Sequence, residues 1–232
     1  SWWVTDIQVK DTKKSAPVPF TTSTLQQAGH SKCHFSAKQT MMLAQQLYEG
    51  IDIGEEGSVG LITYMRTDSV SLSEESIKKA HAYITTSFGA SYAETKRFKS
   101  KAKNAQEAHE AVRPTEPSRH PDDIKKYLAP QQYKLYNLIW RRFIASQMPK
   151  AIFDATAIDI NAKQYTFRAN GSVLKFDGWL KVYPMKFTEN ELPIVKDGET
   201  LTLTELKPEQ HFTKPPARYN EASLIKILEK EG

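Results

Sequence analysis

The chain has 232 residues, 39% apolar and 25% charged, an ordinary globular composition with room for two domains or one large one. Its 32 Lys and Arg against 27 Asp and Glu leave a net charge of +5 and a pI near 9.1, a modest excess that favours a polyanionic partner. Cys33 is the single cysteine, which excludes an intramolecular disulfide and a cysteine-rich zinc site and suits a reducing cytosol, while no apolar run approaches the roughly 18 residues of a membrane span.

Residues 2–10 alternate through Trp3, Thr5, Ile7 and Val9 as an edge strand, and a basic, proline-containing link from Lys13 to Pro19 follows. A helix is expected to start near Thr22 to Thr24, where a hydroxyl residue three positions before glutamine offers a capping box. Residues 37–49 form a second helix, with Met41, Ala44, Leu47 and Tyr48 as its core stripe and Gly50 as its stop. A strand-like run through Val59, Leu61 and Thr63 leads into Tyr64. Residues 71–88 make a third helix, capped by Ser71 with Glu74, burying Ile77, Ile84 and Phe88, and ended by Gly89. Lys96, Arg97, Lys99, Lys101 and Lys103 form a basic run, read as a solvated loop with scope for transient phosphate contact. Residues 106–112 read as a short helix broken by Pro114. Residues 131–148 carry the clearest helical stripe, Tyr136, Ile139, Trp140, Phe143 and Ile144, closed by Pro149.

The texture then changes to strands and tight turns between Ala151 and Leu206. Asn170-Gly171 is expected to join residues 164–169 to 172–176 as a hairpin, and Asp197-Gly198 to join 194–195 to 200–203. Residues 179–183 read as a further strand and 222–231 as a helix. The first residues and the β section bracket a helical block, and two connections at one junction make a hinge suited to a domain that swings as a unit.

Chemistry concentrates in Ile62-Thr63-Tyr64-Met65-Arg66-Thr67-Asp68-Ser69. Alternation along an extended chain puts Tyr64 and Arg66 on one face. A phenol is a weak nucleophile at its ordinary pKa of about 10, but a neighbouring cation favours the phenolate and can neutralise charge developing on phosphorus. From those two residues alone, a buried core tyrosine beside a solvated arginine is the commoner arrangement, and the rest of the string changes that balance.

The string resembles the active-site motif of type IA DNA topoisomerases, in the bacterial topoisomerase I branch that has methionine between the tyrosine and the arginine. Four further blocks in order carry the same resemblance: Pro19 to Gln27, Thr40 to Glu49, Gln106-Glu107-Ala108-His109-Glu110-Ala111-Val112-Arg113-Pro114, and the pair Phe176-Asp177-Gly178-Trp179 and Phe212 to Tyr219. The resemblance implies an α+β, multidomain fold in which a β-rich arch (residues 1–24 and 149–213) is interrupted by a helical domain (25–148) bearing the tyrosine, with a further helical domain starting at 214. The family's acidic Toprim domain has no counterpart here, since no Asp-x-Asp occurs, so a central fragment is expected.

That family relation implies ATP-independent transesterification, with Tyr64 as nucleophile, Arg66 on the scissile phosphate and His109 as a phosphate or ordering contact. Thr63, Asp68, Gln45, Glu49 and Arg113 are further candidates for DNA binding. Asp68 can instead cap the turn, Arg113 can instead pair with Glu110, and Gln45 and Glu49 can be plain surface residues. His30, His34, His120 and Cys33 show no metal spacing, so no metal or other cofactor is expected on these residues. Magnesium is implied for the complete enzyme through the acidic domain. The implied partners are single-stranded and negatively supercoiled DNA, met by a monomer in the cytoplasm and nucleoid with no membrane contact. The alternatives are a non-catalytic single-strand-binding or structural gate module, and a piece of a topoisomerase III or reverse gyrase.

Overall fold

The computed structural model describes residues 1–99 and 110–231 and shows a mixed α+β chain. In order, the elements are β1 (Trp2–Lys14), α1 (Thr22–Ala28), α2 (Ala37–Glu49), β2 (Ile51–Asp52), β3 (Ser58–Val59), α3 (Glu74–Phe88), α4 (Pro130–Ser146), β4 (Ala151–Ala162), β5 (Tyr165–Phe176), β6 (Thr200–Leu201) and α5 (Glu221–Glu231). The chain divides into two compact units, one of Ser1–Ser15, Lys150–Leu180 and Pro184–Ala217, the other of Ala16–Pro149, Lys181–Tyr183 and Arg218–Gly232.

The first unit is built on an antiparallel sheet of order β5-β4-β1-β6. β1 runs four residues past the expected end, so Lys13 and Lys14 pair with Ile152 and Ala151 and are not part of the link. It is an edge only beyond Trp3, because β6 covers Trp2 and Trp3. The expected hairpin at Asn170-Gly171 is corrected. β5 passes straight through those residues, and the chain reverses at Lys163-Gln164, with Ala162 opposite Tyr165. Lys163 takes the left-handed φ of 55° that a two-residue turn needs. Twelve residues of ladder on each side outweigh the local preference of an Asn-Gly pair. Gly171 answers a different need: a Cβ there would sit 2.7 Å from the Asn190 carbonyl oxygen, and Ser172 and Asn190 exchange backbone bonds of 2.9 and 3.1 Å.

Residues 179–183 are not a strand. Gly178, at φ 49°, swings the chain into a short 3-10 turn, Gly178–Lys181. Trp179, Leu180, Val182 and Tyr183 are all buried, a pattern that strand alternation does not produce. The Trp179 indole donates to the Lys14 carbonyl at 2.9 Å. Asp197-Gly198 does form a turn, but it hands the chain to β1 instead of to residues 194–195: Gly198 N donates to Val4 O, and Val4 N to Glu199 O, both at 2.9 Å.

The second unit is helical. α2 has its expected bounds because both ends are written locally: the Ser36 hydroxyl accepts from Gln39 N, and Gly50 (φ 131°) stops it. α1 starts at Thr22 as expected, but its cap is a reciprocal pair of Thr21 and Thr24 hydroxyls and not a hydroxyl paired with glutamine. Ser73, not Ser71, caps α3. α4 starts on Pro130 and ends at Ser146; its predicted stripe is buried throughout. The two large polar rings of that stripe are satisfied inside the unit, Tyr136 Oη donating to Arg119 O and Trp140 Nε1 to Pro117 O, each at 2.8 Å. Arg142 lies over Phe20 at 4.6 Å and donates to Val18 O at 2.6 Å. Burial pushes its pKa down, against the pull of Tyr183. The α2 stripe is corrected in part. Thr40, Leu43, Ala44 and Leu47 are its buried face, whereas Tyr48 and Met42 are exposed.

Candidate active site around Tyr64

The strand-like approach to Tyr64 stops early. β3 ends at Val59, and from Leu61 onward the chain is pinned without being in a sheet and bends at Met65. Alternation survives nonetheless. Tyr64, Arg66 and Asp68 are exposed, while Met65, Thr67 and Ser69 are buried at 1%, 8% and 2% exposure. Every second side chain therefore anchors the segment and the others are offered to solvent.

Backbone pins account for the geometry. Gly60 lets the chain pass under the end of α2: a Cβ there would meet the Tyr48 carbonyl at 2.7 Å, and Leu61 N donates to Leu47 O at 2.7 Å. Ile62 bridges Pro114, and Thr115 bonds back to Leu61 and Gly60. Past the tyrosine, Thr22 takes over. Its hydroxyl donates to Met65 O at 2.7 Å and accepts from Thr67 N at 2.8 Å, and its own N–H donates to Thr67 O at 2.8 Å. The Thr67 and Ser69 hydroxyls then accept from Ser69 N and Ser71 N, continuing the rail to α3.

Tyr64 is 46% exposed and packs edge-on against Tyr48, with ring centroids 5.3 Å apart and an interplanar angle of 62°. Further along the segment, Arg66, Thr67 and Asp68 join Thr21, Thr22, Ser23 and Glu229 of α5 in walling an open cavity of about 460 Å³. An exposed phenol and guanidinium two residues apart on a fixed rail can present a nucleophile and a bidentate cation to the same phosphate.

The remaining sequence candidates separate. The Thr63 hydroxyl is half-buried and committed: it donates to Ala111 O at 2.7 Å and accepts from Arg113 N at 3.0 Å, a structural role instead of a DNA-facing one. Arg113 is 12% exposed at its side chain and takes the alternative of pairing with Glu110, at 3.0 Å through Nε, while Nη1 donates to Pro114 O at 3.0 Å. Gln45 and Glu49 are bonded to each other one turn apart on α2. His109, residues 106–109 of the expected helix, and the basic run beyond Lys99 lie outside the described residues, whereas residues 110–112 are not helical and Val112 bridges Phe20. In the described part of that run Arg97 pairs with Glu74 at 2.7 Å and Lys96 with Glu94 at 3.0 Å. Among the described residues, no group of His, Cys, Asp or Glu side chains could hold a metal ion, and no helix is long and apolar enough to cross a membrane.

Thr22, Ser23 and Tyr48 are the residues that sequence reasoning passed over. Thr22 and Ser23 were visible as a hydroxyl cluster before a helix, but read as capping residues. Tyr48 fitted a helical stripe, and only the structure shows it exposed with the Tyr64 ring against it.

The family pattern of DNA topoisomerases matches residues 1–232. The chain belongs to that family, in its bacterial type IA branch. Among solved structures it is similar to full-length topoisomerase I from Thermotoga maritima, with 38% identity and a TM-score of 0.83. The match covers 99% of this chain and 37% of that one, so the chain spans little more than a third of that relative.

Proposed function

We propose that these residues carry the strand-cleaving half of a type IA topoisomerase active site. The Tyr64 phenolic oxygen attacks a backbone phosphorus of single-stranded DNA; its bond to phosphorus forms as the P–O3′ bond breaks. The phenol loses its proton, and the leaving 3′ oxygen gains one from an acid that the rest of the enzyme supplies. The product is a 5′-phosphotyrosine and a free 3′ hydroxyl, which attacks back after another strand has passed. Each step exchanges one phosphoester for another, so no ATP is consumed. Arg66 neutralises charge on the phosphate oxygens in the transition state.

The observation that supports this reading is the alternation from Tyr64 to Ser69, in which buried Met65, Thr67 and Ser69 fix the backbone while Tyr64 and Arg66 stand free of the core. Magnesium is expected to assist in the whole enzyme, but the described residues offer it no seat, and no step is assigned through it. On the same reading the substrate is single-stranded or negatively supercoiled DNA, handled by a monomer in the cytoplasm, and the 232 residues alone relax nothing. The test is relaxation of negatively supercoiled plasmid with magnesium, by the 232-residue chain and by a longer polypeptide that includes the acidic domain. Activity is expected only in the longer polypeptide and is expected to vanish with Tyr64→Phe. Relaxation that survives Tyr64→Phe overturns the assignment of the nucleophile.

A further inference from the structure

Glu229 is an unusual wall for a cavity that also holds Arg66. Its Oε2 accepts from Ser23 Oγ at 2.7 Å and lies 3.5 Å from Gln27 Nε2. A carboxylate received by a hydroxyl and an amide, in a cavity shared with an exposed guanidinium, occupies surroundings that would equally receive a phosphodiester oxygen. Both groups are anionic and, when ionised, only accept hydrogen bonds.

The helix that delivers this carboxylate packs against α1 through partly exposed residues. α5 contains no buried residue. Its other end is fixed by Glu221, which accepts from Ala37 N at 2.9 Å and lies 3.6 Å from His30 Nδ1. Residues 202–220, which precede it, have no regular structure and are exposed throughout. Asn220 and Ser223 cap α5 reciprocally, so the helix has its own start signal and does not need the docking contacts to define its end.

We infer that α5 is a releasable latch: its Glu229 carboxylate fills an anion seat formed by Ser23 and Gln27 beside Arg66, and a phosphodiester of single-stranded DNA displaces it. This rests on the reading of Tyr64 and Arg66 as DNA-facing groups. Exposed charge-assisted contacts are individually weak, whereas a DNA strand brings several phosphates at once, so the exchange runs toward DNA at low salt and back as salt rises.

The test uses the 232-residue chain, its Glu229→Gln variant and a Glu231→Gln control. The control removes the same charge from the same helix, from a side chain that bonds Lys230 at 3.1 Å and does not wall the cavity. Binding of a fluorescent single-stranded oligonucleotide is followed by anisotropy, and exchange of the amides of residues 221–231 by mass spectrometry. Glu229→Gln should bind roughly three- to fivefold tighter, with a clearly smaller gain for the control. Oligonucleotide should speed exchange in α5 of the wild type, and Glu229→Gln should speed it without DNA. Equal tightening by both variants, or slower α5 exchange on adding oligonucleotide, overturns the latch while leaving the Tyr64 reading intact. If none of the three proteins binds the oligonucleotide, the DNA-facing reading falls and the displacement falls with it.

Discussion

At the scale of single residues, exposure and support alternate along one short segment. In an enzyme that includes the acidic domain, Arg66→Ala leaves the nucleophile in place but removes a phosphate donor. Cleavage of a single-stranded oligonucleotide should fall by the equivalent of about 2–4 kcal/mol in the barrier. Affinity should fall far less, because other phosphate contacts remain. Equal losses in rate and affinity would make Arg66 a ground-state anchor. The supporting positions should respond in stability. Thr22→Val keeps the shape but strips the hydroxyl from Met65 O and Thr67 N, leaving a buried N–H without its acceptor, at about 1–3 kcal/mol. Met65→Ala empties a fully buried site and should cost about 2–5 kcal/mol. Urea denaturation of the 232-residue chain measures both, and a shift below about 0.5 kcal/mol for Thr22→Val would contradict the pinning role of that hydroxyl.

At the scale of elements, the helices were legible where their signals were local and the sheet was not where its signals were distant. Ser36 and Gly50 mark both ends of α2 in the sequence itself, and the α4 stripe from Tyr136 to Ile144 is periodic whatever it packs against. The β5 strand hides its turn, because Lys163 looks nothing like a turn residue and Asn170-Gly171 does. The ladder of β4 on β5, summed over its length, decides against the dipeptide. Gly171→Ala tests this directly. If close approach of Asn190 is why glycine stands there, the added methyl should destabilise by about 1–3 kcal/mol, through overpacking. A neutral or stabilising effect would mean that the segment around Asn190 yields freely. The same hairpin carries a pH signature. The Arg168 guanidinium, bonded twice to Asp159 at 2.6 Å, holds that carboxyl below its ordinary range. Its contribution is therefore present above the unfolded carboxylate's pKa and lost as pH falls through the lowered value. Thermal melts of Asp159→Asn should show a shallower loss of stability on the acid side than the wild type, and parallel curves would contradict the linkage.

At the scale of the whole molecule, five ordered motif blocks made the family legible. What stayed hidden was which motif residues face outward. Thr63 and Arg113 sit in such blocks yet turn inward: the Thr63 hydroxyl is committed to backbone 48 and 50 residues away, a separation at which no periodic pattern speaks, while the Arg113 guanidinium takes the local Glu110 that the sequence offered as an alternative. Tyr48 shows the reverse case, apolar by pattern yet exposed on α2, with the Tyr64 ring packed edge-on against it. The central claim is that the exposed Tyr64 oxygen becomes joined to DNA. An enzyme including the acidic domain is mixed with magnesium and a single-stranded oligonucleotide, quenched in denaturant, digested with nuclease and protease, and mapped by mass spectrometry. The account predicts a nucleotide joined through 5′ phosphate to the peptide containing Tyr64, and none in Tyr64→Phe. An adduct on any other residue, or cleavage with no protein–DNA bond, would contradict it.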